Sequence, residues 1–169
     1  MSDRYDTFDQ DHDGAIRADD FKAMAKRILG ACGHSPQSPK GAALLAAAQQ
    51  YFTALAEVAD TDHDGAITKE EFLAAAASKL RGNAEGFASA LRPWATAVID
   101  VADVDGDGAV SLEEWATVLR AMGATPERAA EAAAAADAGV DGKISVDELL
   151  AAAVDFYTSD RPHTEFSQI

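Results

Sequence analysis

Residues 60–71 read Asp-Thr-Asp-His-Asp-Gly-Ala-Ile-Thr-Lys-Glu-Glu, and the chain is built around this segment and its near-copies. Asp60, Asp62 and Asp64 stand at alternate positions, so a tight loop can direct three carboxylates at one point. Gly65 follows, where the backbone must turn through a conformation that a Cβ atom would hinder. Clustered like charges repel one another unless a cation lies between them. The segment therefore predicts a cation site.

The second half of the segment completes a shell of oxygen ligands. The predicted ligands are Asp60, Asp62, Asp64, the carbonyl of Ala66, Thr68 (directly or through water) and the two oxygens of Glu71. This number of oxygens suits calcium better than magnesium, which demands a smaller octahedral shell. The spacing is that of the EF-hand, a helix–loop–helix unit. The alternative, a set of Asx-turns that cap helices, explains the aspartates and glycine but not the acid at the twelfth position.

The pattern recurs in three further segments, which begin at residues 9, 103 and 137. The third loop matches in full, with predicted ligands Asp103, Asp105, Asp107, the carbonyl of Ala109, Ser111 and Glu114. In the first loop the predicted ligands are Asp9, Asp11, Asp13, the carbonyl of Ala15 and Asp20. The second and third loops are thus predicted to be the strong calcium sites.

The first and fourth loops depart from the pattern. Asp20 has a shorter arm than the usual glutamate, and Arg17 stands where a small oxygen-bearing side chain is usual. We therefore expect the first site to be weaker and open to competition by magnesium. In the fourth loop Gly139 replaces the second carboxylate, and Lys143 adds a positive charge. We interpret this loop, residues 137–148, as a structural partner and leave its occupancy open.

Apolar residues at helical spacing predict a helix on each side of each loop. The expected helices include a short one at 2–8 and longer ones at about 19–29, 40–59, 126–136 and 146–157. Phe72 is expected to start the helix after the second loop, and Pro93 to bend or break its helix near residues 89–93. The tail beyond residue 158 carries Phe166 and Ile169, for which fraying and folding back onto an apolar cleft are both open.

Two short features tie the loops to these helices. Ser or Thr followed three residues later by Glu forms a capping box at Thr68–Glu71, Ser111–Glu114 and Ser145–Glu148. The closing glutamate is therefore fixed to the start of the exiting helix. Strand contacts of two residues are expected just after the loop glycines, at Ile16, Ile67, Val110 and Ile144.

Composition limits the other functions. The 169 residues carry a formal net charge of −15, and the four loops hold most of the acidic side chains. Without a basic face the chain is not expected to bind nucleic acid. It contains neither a signal-peptide pattern nor an apolar run of membrane-spanning length, and we expect a cytoplasmic monomer without membrane contact. Cys32 is the single cysteine, so no intramolecular disulfide is expected.

The chain resembles the sarcoplasmic calcium-binding proteins, particularly bacterial members such as calerythrin. The resemblance rests on the long interval between the first two loops, on the Asp20-Phe21 ending of the first loop, and on residues 122–131 and 146–150. The pattern of helices and loops predicts an all-α fold of four EF-hands, and Gly82-Asn83 marks the boundary between halves at residues 1–81 and 82–169. The resemblance implies that these are two EF-hand pairs packed as one compact globule. It also implies calcium buffering or transport. In the family the second loop is commonly degenerate and the fourth works, whereas here the second is intact and the fourth has lost a ligand, so the family's occupancy pattern does not carry over.

Two functions fit these loops. A calcium buffer tightens around its ions, whereas a sensor of the calmodulin kind opens a methionine-rich groove for a target protein. Of the three methionines Met1 is terminal, which leaves Met24 and Met122. The sequence therefore favours the buffer and keeps the sensor as the alternative. Neither His-Glu-x-x-His nor Gly-x-Ser-x-Gly is present, so an enzyme is not predicted.

Overall fold

The computed structural model describes residues 5–76 and 83–158, with side chains up to residue 155, and within them seven helices flank four loops. The helices are α1 (Ala18–Ala31), α2 (Pro39–Ala59), α3 (Lys69–Ala75), α4 (Ala84–Ala102), α5 (Leu112–Ala121), α6 (Pro126–Ala136) and α7 (Val146–Thr158). The all-α architecture of EF-hand units is confirmed. Within the described residues no helix is both long and apolar enough to cross a membrane.

The predicted caps set the helix starts. Thr68 and Ser111 form capping boxes with Glu71 and Glu114, so α3 begins at Lys69 and not at Phe72 as expected from the sequence. Thr125 Oγ1 accepts the backbone N–H of Arg128 at 3.4 Å, ahead of Pro126 in the first turn of α6. Each cap satisfies a backbone donor that has no partner inside its helix.

The four predicted strand contacts are confirmed as two small antiparallel sheets. Strand β1 (Ala15–Ile16) pairs with β2 (Ile67–Thr68), and β3 (Val110–Ser111) pairs with β4 (Lys143–Ile144). The pairing joins the first loop to the second and the third to the fourth. The loops therefore act as two pairs, although the predicted boundary at residues 81–82 lies outside the described residues.

The two pairs share one apolar core. Helix α2 packs on α4 across the two halves, α1 contacts both α2 and α5, and α4 also packs against α7. The buried cluster runs from Phe8 and Phe21 in the first half to Trp94 and Trp115 in the second. The aromatic rings of Phe8 and Phe21 stack with centroids 5.2 Å apart, which fixes the chain entering the first loop.

Pro93 lies inside α4, whose helical backbone continues on both sides of it. The predicted alternative of a break is therefore wrong, and the bend stays a prediction. Of the helix predicted at residues 2–8, residues 5 and 6 are helical, and residues 2–4 lie outside the described part of the chain. The tail residues Phe166 and Ile169 also lie outside them.

Candidate metal centre

One hydrogen bond recurs in all four loops. The first aspartate accepts the backbone N–H of the sixth-position glycine through Oδ2, at 3.1, 3.1, 2.9 and 2.9 Å in chain order. These glycines have φ between +81° and +87°, a conformation that disfavours other residues. The turn predicted at Gly65 is thus present, and it holds each first aspartate with its second oxygen directed into the loop.

Carboxylates converge in three of the loops. Within the described residues, one ligand atom from each member lies within 4.8 Å of the others in three groups: Asp9, Asp11 and Asp13; Asp60, Asp62 and Glu71; and Asp103, Asp105 and Asp107. The fourth loop forms no such group there. The described side chains therefore gather acids at the three loops that the sequence ranked highest.

Two carboxylate oxygens are left without a hydrogen-bond partner. Asp9 Oδ1 and Asp60 Oδ1 are buried and have no hydrogen-bond partner. A buried charged oxygen without a partner costs free energy unless a cation or donor satisfies it. Oxygen donors are what calcium prefers, so the residues of the first and second loops fit the ion.

The closing acid of the second loop is held by four donors. Glu71 Oε1 accepts the backbone N–H and the hydroxyl of Thr61 at 2.9 and 2.7 Å, and Oε2 accepts those of Thr68 at 3.0 and 2.8 Å. The hydrogen bonds from Thr68 and Thr61 lower the pKa of Glu71 to about 2. The carboxylate is therefore ionised and already aimed when calcium arrives.

The third loop repeats this arrangement with one donor fewer. Glu114 accepts the N–H and hydroxyl of Ser111, both at 2.8 Å, and the N–H of Val104 at 3.2 Å. Burial acts to raise the pKa of Glu114, but these hydrogen bonds outweigh it and the pKa is lowered. Asp103 differs from Asp60 because its Oδ1 already accepts the N–H of Gly106 at 2.6 Å.

In the first loop the closing acid is a shorter aspartate, which backbone donors hold in place as they do in the other loops. Asp20 accepts the N–H of Gln10 at 3.0 Å and that of Arg17 at 2.7 Å, one on each oxygen. Burial raises the pKa of Asp20 despite these bonds. The Arg17 guanidinium also contacts Asp13 Oδ2. The two residues that depart from the EF-hand pattern in this loop therefore affect the predicted ligands: Asp20 is itself one of them, and Arg17 contacts another, Asp13.

The fourth loop satisfies its own acids. Asp137 accepts the N–H groups of Asp141 and Gly142, at 3.2 and 2.9 Å, one on each oxygen. Glu148 accepts the N–H and hydroxyl of Ser145, at 2.9 and 2.8 Å, which confirms the third capping box. The first and closing acids are thus held much as in the third loop, and the fourth loop offers fewer oxygens because Gly139 replaces a carboxylate.

One functional contact was missed by the sequence reasoning, which treated Lys143 only as an unfavourable charge in its own loop. The Lys143 ammonium group instead reaches the third loop, where it contacts Asp105 and Asp107. The sequence signal that could have found it is the strand pairing, because Lys143 lies opposite Ser111.

Comparisons with known proteins agree with this geometry. A family model described as an EF-hand domain pair matches residues 1–77, and one described as an EF hand matches residues 96–119. Calerythrin from Saccharopolyspora erythraea is 31% identical over 155 residues, which covers 91% of this chain and 88% of calerythrin.

Solved structures of other proteins have a similar fold. A Streptomyces coelicolor calcium-binding protein, described in terms of prokaryotic calcium-mediated regulation, superposes with a TM-score of 0.90 and 40% identity, covering 93% of this chain and 95% of that one. Magnesium-loaded apo-berovin, a light-sensitive ctenophore photoprotein, gives a TM-score of 0.71 and 25% identity over 92% of this chain and 85% of its own. All three calcium-binding loops of berovin are described as binding magnesium ions.

Proposed function

The chain belongs to the calerythrin-like EF-hand calcium-binding proteins, and we propose that within this family it is a calcium buffer whose fold closes around its ions. The predicted cytoplasmic location, monomeric state and lack of enzymatic activity are part of the same proposal.

The observation that carries the buffer proposal is the shared core. The apolar helix faces that a sensor would offer to a target pack against each other, with α2 on α4 and α1 on α5. Among the described residues, the large hydrophobic side chains that are exposed are Val104 and Val140, and both lie in loops. A protein with this arrangement would have to separate its halves to expose a groove, at the cost of much buried apolar area.

We further propose an order of sites. The second loop binds calcium most tightly, since it combines the unpartnered Asp60 oxygen with the preset Glu71 carboxylate. The first loop offers the Asp9 oxygen but has a short closing acid, so magnesium competes there. Berovin, whose loops are described as binding both ions, supports such competition. The third loop binds with Asp103, Asp105, Asp107 and Glu114.

A sensor function has one specific observation in its favour. A cavity of about 230 Å³ lies between the halves, and its lining includes Trp94, Trp115, Met24 and Met122. These are the two tryptophans and the two internal methionines, and a loosely filled interior costs less to rearrange than a close-packed one. The regulatory description of the Streptomyces protein points the same way.

Fluorescence of an apolar dye (ANS) during a calcium titration in millimolar magnesium separates the two. A buffer that closes around its ions gives falling dye fluorescence and a protected environment for Trp94 and Trp115. Dye fluorescence that rises with calcium would overturn the buffer proposal in favour of the sensor. A dye-free control that follows tryptophan emission alone shows whether the dye itself shifts the equilibrium.

A further inference from the structure

We propose that Lys143 of the fourth loop is a built-in competitor of calcium at the third loop. The fourth loop would then set the affinity of its neighbour without needing to bind an ion itself. The inference rests on the proposed function only in that the third loop must bind calcium.

The ammonium group of Lys143 takes the oxygens that the loop backbone leaves free. Its Nζ lies 3.2 Å from Asp105 Oδ2 and hydrogen-bonds Asp107 Oδ2. The other oxygens of these aspartates accept backbone N–H groups, Asp105 Oδ1 from Asp107 at 3.3 Å and Asp107 Oδ1 from Ala109 at 3.0 Å. The lysine therefore contacts the two oxygens that a cation in this loop would need.

The fold places Lys143 there. It is the first residue of β4 and pairs with Ser111 of β3, so its side chain starts beside the third loop. A lysine ammonium group is charged at physiological pH, so Lys143 places a positive charge on the two aspartates that it contacts.

The other loop pair has no equivalent. The seventh position of the first, second and third loops is Ala15, Ala66 and Ala109, whereas only the fourth carries a lysine. In the first loop the cation on Asp13 comes from Arg17 of the same loop. Within the described part of the chain, Asp62 and Asp64 of the second loop contact no basic side chain. Among the described residues, the third loop is thus the one whose aspartates contact a basic side chain of the partner loop.

The contact has two consequences of opposite sign. In the calcium-free protein Lys143 relieves repulsion among the third-loop aspartates and ties the two loops together. When calcium binds, it must displace the ammonium group from the same oxygens. Removing the lysine should therefore destabilise the calcium-free form while strengthening calcium binding. A residue with a purely structural role would weaken both, because a loosened loop binds calcium less well.

The test compares Lys143→Gln with the wild-type chain by calorimetric calcium titration and by thermal unfolding in EDTA. We expect a lower melting temperature without calcium and a roughly two- to fivefold tighter third site, the range of an exposed ion pair. Lys40→Gln is the matched control, since Lys40 is equally exposed (39%) and pairs with Asp100 outside the loops. It should leave the affinity of the third site unchanged.

Other outcomes are decisive too. Unchanged or weaker binding in Lys143→Gln overturns the inference, and so does an equal gain in Lys40→Gln, which would reflect net charge alone. Lys143→Arg keeps the charge and should bind calcium like the wild type. Glu114→Gln separates this from the proposed function: if it does not alter calcium binding, the third loop is not a site, and the proposed function fails there.

Discussion

The backbone N–H of Gly139 donates a hydrogen bond to Glu148 Oε1 at 2.9 Å, across the fourth loop. In the first three loops the closing acid accepts instead from the second-position N–H, that of Gln10, Thr61 or Val104. The hydrogen bond to the closing glutamate of the fourth loop thus comes from the third position, where Gly139 replaces a carboxylate. This loop compensates internally for the ligand that it lacks.

Gly139→Asp should restore a calcium site in the fourth loop. Gly139 does not have a positive φ, so a side chain is tolerated there, and its Cβ would lie 3.2 Å from Glu148 Oε1, a flexible neighbour. The new carboxylate would repel Glu148 and supply the missing ligand. We expect calorimetry to count one more calcium ion per chain. Gly139→Ala, which adds the Cβ without the charge, is the control, and an equal stoichiometry in both variants would contradict the prediction.

Glu71→Gln should remove the tightest calcium site. The change deletes the negative charge but keeps the shape, and an amide donates where Thr61 and Thr68 also donate, so the side chain loses its fixed position. We expect at least about a tenfold loss, or ~1.4 kcal/mol, in the first stoichiometric step of a competitive chelator titration. The adjacent, exposed Glu70 offers the control Glu70→Gln. Equal losses in the two variants would show an effect of net charge only.

Most of the features that the sequence predicted are short-range. The loop turns and the capping boxes depend on residues within twelve positions of each other, whereas the strand contacts were expected because the loop motif repeats, and the structure places all of them as expected. The contact of Lys143 with the third loop spans 36 to 38 positions and depends on the pairing of two strands. It therefore could not be derived from spacing alone.

Tertiary packing explains why α4 continues through Pro93 without a break. A proline in a helix costs one hydrogen bond and a steric clash, which favours a break in an isolated helix. Helix α4, however, is packed against both α2 and α7, and Leu91 and Trp94 on either side of the proline are buried. The packing of α4 against these two helices outweighs the local cost of the proline, since tertiary contacts commonly override helix propensity.

Tyr5 should report calcium in the first loop through its pKa. Burial, followed by the charges of Asp9, Asp13 and Asp20, raises the pKa of Tyr5 to about 12. Calcium in the loop would neutralise these carboxylates, so the pKa should fall. Absorbance at alkaline pH measures it in a Tyr51→Phe, Tyr157→Phe background, where Tyr5 is the remaining tyrosine. An unchanged midpoint would place no calcium near Tyr5.

The same shift predicts how stability depends on pH. An unfolded tyrosine ionises near its ordinary value of 10, whereas folded Tyr5 stays neutral up to about 12. Stability from this group is therefore fully present below pH 10 and is lost as the pH rises from 10 to 12. In calcium-free protein, Tyr5→Phe should flatten the fall of the melting temperature across this range. A fall of equal steepness in the variant would assign the alkaline sensitivity to other groups.

Val140 should be the residue whose replacement stabilises the calcium-free chain. It has φ of +53°, and the fourth position of each other loop is also left-handed, occupied by His12, His63 and Gly106. A β-branched residue pays about 1–2 kcal/mol for this conformation, and Val140 is 87% exposed, so little packing offsets it. Val140→Asn should therefore raise the free energy of unfolding in EDTA by about 1 kcal/mol, because asparagine tolerates the left-handed region.

Val104 provides the matched control for this change, since it lies in the neighbouring third loop and is 86% exposed but has no positive φ. Val104→Asn removes the same side chain from solvent without relieving any backbone strain, so its effect should stay within about 0.5 kcal/mol. Denaturant unfolding of both variants measures the difference. A gain of the same size in both would mean that exposure of an apolar side chain, and not the left-handed backbone at Val140, limits the stability of this loop pair.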